Sequence, residues 1–183
     1  EEGAAAMAVA LGIAGAGDDV IAGHEPCGIV VARGADVQEG LAPIGARVMV
    51  HHYGGCGICL SCRQGWGQMC EEGFINYGIT ANGGHAPYLK VPANTLVALP
   101  DGLSFTEGAA ISCGTGTAFS AIKRMDVAAG STMAVFGQGP VGLSLTLLGA
   151  AMGVRVIAVD ISSERLKLAK SYGADALVNA DID

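Results

Sequence analysis

Four cysteines with metal-ligand spacing lie close together in the first half of the chain, between positions 56 and 70. They follow the pattern C-x2-C-x2-C-x7-C, and neighbouring glycines let the backbone turn tightly around them. Four thiolates at this spacing can surround one zinc ion in a tetrahedron, each at about 2.3 Å. The sequence therefore predicts a structural zinc site in this segment, here called the cysteine lobe, with the ligands Cys56, Cys59, Cys62 and Cys70.

Three other interpretations of the cysteine lobe fit less well. Iron–sulfur runs usually continue with a three-residue gap and a proline, whereas here the last gap is longer and Glu71 follows. Disulfides would suit a secreted protein, but we recognise no charged and apolar signal sequence. A zinc ribbon that grips nucleic acid needs a basic patch, and Arg63 is the only cation in the lobe sequence. We therefore expect reduced thiols that chelate zinc.

A second motif, G-x-G-x-x-G, occupies residues 137–142 as GQGPVG, between a predicted strand and a predicted helix. In a dinucleotide site its glycines make the tight turn, admit the pyrophosphate and let the helix pack on the strand. An acid at the end of the next strand would accept hydrogen bonds from the ribose hydroxyls and repel a 2′-phosphate, which favours NAD over NADP. The predicted cofactor contacts are Gly137, Gly139, Pro140, Val141, Gly142 and Asp160.

Two observations bear on the strength of this motif. Arg165 follows the acid by five residues and would partly offset the preference for NAD. The alternative is a glycine-rich strand–helix turn that binds nothing, which the combination of strand, helix and acid makes the weaker interpretation.

Two residues far apart in the chain indicate a second metal site. His24 lies in a Gly-His-Glu-Pro turn at a strand start, and Cys113 lies in a Gly- and Thr-rich stretch. A histidine by itself is more often an ordinary core or surface side chain than a ligand. His51, His52 and His85 fit no ligand pattern, and we expect no functional role for them.

The elements that must position these residues change character along the chain. Short β-rich runs at residues 29–31, 47–50, 89–92 and 96–100 predict a small antiparallel or barrel-like β domain. An S-x-x-E start at Ser104 predicts two helical pieces, broken at residues 113–116. Residues 1–17 are mostly Ala, Gly and small aliphatic residues, and we assign them no function.

After residue 130 strands and helices alternate. The patterns predict strands at 132–136, 154–159 and 176–178 and helices at 140–152 and 163–172. This alternation indicates right-handed βαβ units and a parallel sheet. The predicted fold class is thus α/β with a β-rich domain.

Composition narrows the class of protein further. Ten basic against seventeen acidic residues give a net charge of −7 and a pI near 4.9, which argues against nucleic-acid and anionic membrane partners. Only 15% of the residues are charged, as expected of a well-buried enzyme rather than a disordered tail. No apolar run reaches the roughly 18 residues of a membrane span. We expect a soluble, cytoplasmic protein.

Taken together, these motifs resemble the zinc-dependent medium-chain alcohol dehydrogenases. The resemblance rests on GHE at 23–25, the cysteine lobe, GGHAPYLKVP at 83–92, CGTGTA at 113–118 and GQGPVG with its following acid. It implies a GroES-like catalytic domain over residues 1–122 and a partial Rossmann NAD-binding domain over 123–183. It also implies a homo-oligomer in the complete protein.

The same resemblance implies roles for individual residues. Cys27 matches no metal ligand and is expected to be a small buried residue, whereas the four cysteines of the lobe match the structural zinc site. The residues that match the catalytic zinc site are His24, Glu25 and Cys113. Those that match the nicotinamide pocket are Thr117 and Val141, and those that match the adenosine ribose site are Asp160 and Arg165.

The implied activity is hydride transfer between NAD(H) and a primary or secondary alcohol or a polyol, giving an aldehyde or ketone. Members of the family carry a third catalytic ligand, a cysteine, upstream of GHE, but residues 1–23 contain no Cys, Ser, Thr or His. Glu25 or solvent would then complete the site. The predicted sheet has three strands of the usual six or so, so we expect a fragment with little or no turnover of its own.

Two other functions remain as alternatives. A noncatalytic, zinc-stabilised nucleotide-binding module would hold one zinc ion instead of two. A relative of the zinc-free quinone reductases is disfavoured, because those proteins lack a cysteine lobe.

Overall fold

Short strands separated by glycine and proline form the first half of the computed structural model, which describes residues 19–182. Strands β1 (Cys27–Ile29), β2 (Arg47–Val50) and β5 (Leu96–Ala98) form an antiparallel sheet with β2 in the centre. Strands β3 (Tyr53–Gly54) and β4 (Ile75–Asn76) form a separate antiparallel pair. The predicted β-rich character is therefore confirmed. The predicted residues 1–17 lie outside the described part of the chain.

One predicted strand, at residues 89–92, is wrong. This segment is irregular and leads into a 3-10 turn at Ala93–Thr95. Pro92, at φ −60° and ψ 139°, has an extended backbone but no N–H with which to join a ladder. The β-like composition of the segment therefore reflects an extended connection, and the sheet resumes only at Leu96.

The helical region after Pro100 begins at a capping box. Ser104 and Glu107 bond each other's backbone N–H groups, at 2.7 Å and 3.2 Å, and helix α2 (Phe105–Ala110) follows. The two predicted helical pieces are confirmed, but the interruption between them is a π-helix at Ile111–Thr115 that leads directly into helix α3 (Gly116–Met125). Widened π turns of this kind occur frequently at functional sites. The short helix α1 (Leu60–Arg63) lies earlier, in the cysteine lobe.

The predicted βαβ alternation is confirmed in the second half. Strands β6 (Thr132–Phe136), β7 (Arg155–Asp160) and β8 (Ala176–Asn179) form a parallel sheet in the order β6-β7-β8. Helix α4 (Pro140–Ala151) contacts β6 and β7, and helix α5 (Ser163–Ser171) contacts β7 and β8. Alternate residues of the strands fill the core, which includes Met133, Val135, Val156 and Ala158.

The chain divides into two compact units after Cys113, within the π-helical segment. The first unit therefore carries the β-rich sheets and the cysteine lobe, and the second carries the parallel sheet. The sequence-based domain boundary, after residue 122, falls inside α3. Among residues 19–182, no helix has the length and apolar character needed to cross a bilayer.

Candidate metal and dinucleotide sites

The four cysteines of the lobe converge in the structure. Their sulfur atoms all lie within 4.8 Å of one another. Cys59 is the N-cap of α1, and its sulfur accepts a hydrogen bond from the backbone N–H of Cys62 at 3.4 Å. Backbone N–H groups of Cys56 and Cys59 donate to the sulfurs of Cys70 and Cys56, each at 3.3 Å. These donors stabilise negative charge on sulfur, as a thiolate metal site requires.

Space and charge in the lobe both suit a bound cation. A Cβ added at Gly55 would lie 2.5 Å from the sulfur of Cys62, so that only glycine leaves room for the cluster. Backbone hydrogen bonds from Glu71 and Cys62 lower the pKa of Cys59 to about 7. A set of four thiols with one already poised to ionise is the donor chemistry that zinc prefers.

A second group of donors forms around His24. One ligand atom each from His24, His52 and Cys113 lie within 4.8 Å of one another. His24 Nδ1 lies 2.9 Å from the carbonyl oxygen of Tyr77, which can only accept, so Nδ1 donates and Nε2 is the ring nitrogen left for a metal. Donation of this kind to a backbone carbonyl is how metal-bound histidines are usually oriented.

The sequence predicts no functional role for His52, whereas the structure brings it into this group. Its side chain is buried, and its ring centroid lies 3.9 Å from that of His24. No motif marks this position, since His52 simply follows strand β2 by two residues. The only sequence signal was a pair of histidines directly after a buried strand. His51, its neighbour, is exposed, and so is His85.

The surroundings of Cys113 and His52 keep both side chains uncharged. Burial raises the pKa of the Cys113 thiol to about 11, and the Glu25 carboxylate, which accepts its hydrogen bond, adds to the shift. Burial also lowers the pKa of His52 to about 3, with further contributions from His24 and His51. Glu25 contacts Cys113 but is not one of the three converging donors. Cys27 is half-buried rather than fully buried and takes no part.

The glycine-rich turn has the shape predicted for a dinucleotide site. Gly137 has φ 84°, a conformation that favours glycine, and its N–H donates to Val159. A Cβ at Gly142 would lie 1.8 Å from the carbonyl oxygen of Gly137, so no other residue fits there. Gly139 precedes α4 without a side-chain cap, and Pro140 is the first helical residue. The start of a twelve-residue helix is thereby left open to an anion.

Asp160 and Gln138 hold this turn in place. The backbone N–H of Gln138 donates to Asp160 Oδ2 at 2.5 Å, and the N–H of Ser162 donates to Oδ1 at 2.8 Å. These hydrogen bonds, the first being the stronger influence, lower the pKa of Asp160. The Gln138 side chain is fully buried and bonds Val135 and Thr146. It links β6 to α4 beneath the turn, a role that the motif did not predict.

The remaining predicted cofactor residues lie on exposed positions of the second unit. Thr117 lies on α3, and Val141 lies in the first turn of α4 with 38% of its surface exposed. Arg165 lies on α5, where its charge contributes to lowering the pKa of Asp160. Helix α4 is tied to the preceding π-helical segment by a 3.2 Å hydrogen bond between Thr115 and Ser144.

A β-rich unit with a cysteine lobe, followed by a parallel sheet with a glycine-rich turn, defines a class of two-domain zinc-type dehydrogenases. Residues 6–101 match the alcohol dehydrogenase GroES-like domain family, and residues 140–183 match the zinc-binding dehydrogenase family. The first match covers more than half of the chain. The chain therefore belongs to the zinc-dependent alcohol dehydrogenase family, with a GroES-like fold followed by a partial Rossmann-type sheet.

Individual relatives agree with this assignment. The chain is 44% identical over 155 residues to YphC, a zinc-type alcohol dehydrogenase-like protein of Escherichia coli, covering 84% of this chain and 43% of that protein. Acetophenone reductase from Geotrichum candidum in complex with NAD is 31% identical, with a TM-score of 0.79 and coverages of 88% and 48%. A cobalt- and zinc-bound alcohol dehydrogenase from Pyrobaculum aerophilum is 32% identical, with a TM-score of 0.78 and coverages of 93% and 52%. The chain thus spans about half the length of these relatives.

Proposed function

We propose that the chain is part of an NAD(H)-linked zinc oxidoreductase that interconverts a primary or secondary alcohol, or a polyol, with the corresponding aldehyde or ketone. The observation that carries this proposal is the convergence of one donor atom each from His24 and Cys113 within 4.8 Å, in a chain that also has an open glycine-rich turn. We assign residues 1–122 to the catalytic domain and 123–183 to the NAD-binding domain. The family assignment supports both.

Zinc would have two places in this protein. The cysteine lobe would hold a structural ion, since its four sulfurs already converge and receive backbone hydrogen bonds. His24 and Cys113 would hold the catalytic ion, which when bound polarises the oxygen of the substrate. Tyr77 orients the His24 ring through its carbonyl oxygen, and Glu25 lies beside Cys113 to receive its proton.

NAD would occupy the second unit and, when bound, exchanges the hydride. The open start of α4 and the turn made by Gly137, Gly139 and Gly142 would hold the pyrophosphate. Asp160 would accept hydrogen bonds from the ribose hydroxyls, with Arg165 nearby. The family resemblance assigns Thr117 and Val141 to the nicotinamide side, and their exposure is compatible with that role. Pro140, at the start of α4, would contact the cofactor as part of the glycine-rich turn.

The setting of the complete protein is part of the same proposal. All six cysteines are free thiols in the structure, which supports a reducing compartment such as the cytoplasm. A homo-oligomer and a small-molecule alcohol, aldehyde or ketone as substrate follow from the family likeness.

Metal and cofactor binding by the 183-residue chain test this proposal separately from turnover. We expect about two zinc ions per chain by elemental analysis, and calorimetric binding of NADH that Asp160→Ala weakens. One zinc ion together with bound NADH would instead support the noncatalytic module. Absence of both ligands from a folded chain would refute the proposal. A steady-state assay with short alcohols is expected to show little or no turnover by this chain alone.

A further inference from the structure

We propose that His52 is the third protein ligand of the metal held by His24 and Cys113. This inference adds a residue to the metal site of the proposed function. It rests on that proposal in one respect, namely that His24 and Cys113 bind a metal. The pair comes from the family resemblance, whereas His52 comes from the structure alone. Each of the three residues offers one donor atom, and these atoms lie within 4.8 Å of one another.

The first argument is an unused nitrogen on a buried ring. His52 is 4% exposed, and its Nδ1 is enclosed without any hydrogen-bond partner among residues 19–182. The ring also bonds the backbone of Ser112, which fixes its orientation. Buried polar atoms in folded proteins nearly always have a partner, and an orphan calls for an explanation. A metal ion bound at this lone pair would supply the missing partner.

The second argument is distance. A tetrahedral zinc ion with Zn–N and Zn–S bonds of about 2.0–2.1 Å and 2.3 Å places its donors about 3.3–3.6 Å apart. The donors here lie within 4.8 Å of one another, so each pair needs to approach by at most about 1.5 Å. His24 and Cys113 are only half-buried, so small side-chain rotations are open to both.

The third argument concerns the competing ligand. Glu25 is the obvious substitute for the family cysteine that residues 1–23 do not contain, but it lies outside the converging donors and accepts the hydrogen bond of Cys113 instead. Two neutral imidazoles and one thiolate leave a net charge of +1 on a bound divalent ion. A nearby carboxylate offsets this charge without binding the metal. Three protein ligands also leave one tetrahedral position open, as a catalytic zinc site requires.

The test compares two adjacent histidines in the full 183-residue chain. His52→Phe removes the donor and keeps an aromatic ring, and His51→Phe makes the same change at the exposed neighbour, whose ring lies 5.6 Å from that of His52. Zinc content is measured by elemental analysis, and Co²⁺ binding is measured by absorption. We expect wild type and His51→Phe to hold about two ions, and His52→Phe to hold about one, in the cysteine lobe. Retention of that one ion shows that the cysteine lobe still forms, and an unchanged circular dichroism spectrum shows that the rest of the variant has folded.

Affinity and spectrum separate a ligand from a mere packing residue. Loss of an outer partner weakens a metal site by about 10–100-fold, so we expect His52→Phe to weaken Co²⁺ binding at this site by more than about 100-fold. His52→Cys restores a donor, and we expect it to recover the second ion with stronger thiolate-to-cobalt charge-transfer absorption. Packing alone would not produce that spectral change.

Three results would overturn the inference. These are two ions in His52→Phe with the wild-type cobalt spectrum, loss of the second ion in Glu25→Gln but not in His52→Phe, or a single ion in the wild-type chain. NADH binding is measured on the same samples. If NADH binds while His52→Phe keeps both ions, the ligand assignment fails and the dehydrogenase proposal stands.

Discussion

Gln138 offers the sharpest test of how the glycine-rich turn is supported. Its fully buried side chain donates from Nε2 to the carbonyl oxygen of Val135 at 2.9 Å and accepts the Thr146 hydroxyl at 3.0 Å. Gln138→Leu removes the acceptor of the Thr146 hydroxyl and one donor to the Val135 carbonyl oxygen, which also lies in the β6–β7 ladder. One unpaired buried group costs about 1–3 kcal/mol, so we expect the parallel-sheet unit to lose about 1–3 kcal/mol of stability.

The assay must report on the second unit alone. The single tryptophan, Trp66, lies in the first unit, so its fluorescence does not report directly on unfolding of the second unit. Hydrogen exchange of peptides covering residues 132–151 measures the opening free energy of β6 and α4 directly. Gln64→Leu, the same substitution at an exposed position of the first unit, is the matched control. We expect it to leave those peptides unchanged.

A second substitution tests the assigned contact itself. In the double variant that combines Gln138→Leu with Thr146→Val, valine has no hydroxyl, so no unpaired donor remains at position 146. The combined loss should therefore be smaller than the sum of the two single losses, with a coupling of about 0.5–3 kcal/mol. A loss below about 0.5 kcal/mol in Gln138→Leu, the range of ordinary surface changes, would refute the reasoning. Strict additivity of the two changes would do the same.

Three further predictions follow from single contacts. Ser104→Ala removes the side-chain cap of α2 and should destabilise the first unit by about 1 kcal/mol in urea unfolding; no change would argue against the capping box. Gly55→Ala places a Cβ against the sulfur of Cys62 and should cost the cysteine lobe its zinc, whereas Gly102→Ala, which meets no atom within 4 Å, should keep it. Asp160 has a lowered pKa, so its hydrogen bonds stabilise the turn above pH 3.8, its ordinary value, and this contribution is lost as the pH falls through the lower folded value. The thermal midpoint of wild type should thus exceed that of Asp160→Asn at neutral pH and converge with it in acid; a gap independent of pH would contradict this.

Patterns that are local in sequence predicted most of the second unit. The predicted strand at Thr132–Phe136 has the same bounds as the observed one, and the bounds of the other strands and helices agree to within about a residue. Periodicity, helix caps and glycines at turns act over short distances in sequence, so they can be recognised without the structure. The cysteine lobe was predictable for the same reason, since its ligands are close in sequence. The predicted strand at residues 89–92 is wrong because an extended connection and a strand have similar composition. Pro92, which has no N–H for a ladder, is what distinguishes the two.

The contribution of His52 could not be read from the sequence. Its position beside His24 and Cys113 depends on how the end of β2 meets the π-helical segment, which no spacing rule describes. The role of Gln138 was also not predictable, but for a different reason. Its side chain bonds residues only three and eight positions away, yet the glycine motif places no requirement on the residue type at its position.

The bond between Asp160 and the Gln138 backbone has a consequence for how a nucleotide would enter. The carboxylate already satisfies an amide of the turn, so the empty loop is held in shape and little ordering entropy is lost on arrival of a ligand. Each oxygen of the Asp160 carboxylate accepts one backbone N–H and has a second lone pair, so a ribose hydroxyl would add a hydrogen bond there without displacing the amide. The same carboxylate would thus keep the shape of the turn and receive the sugar at once.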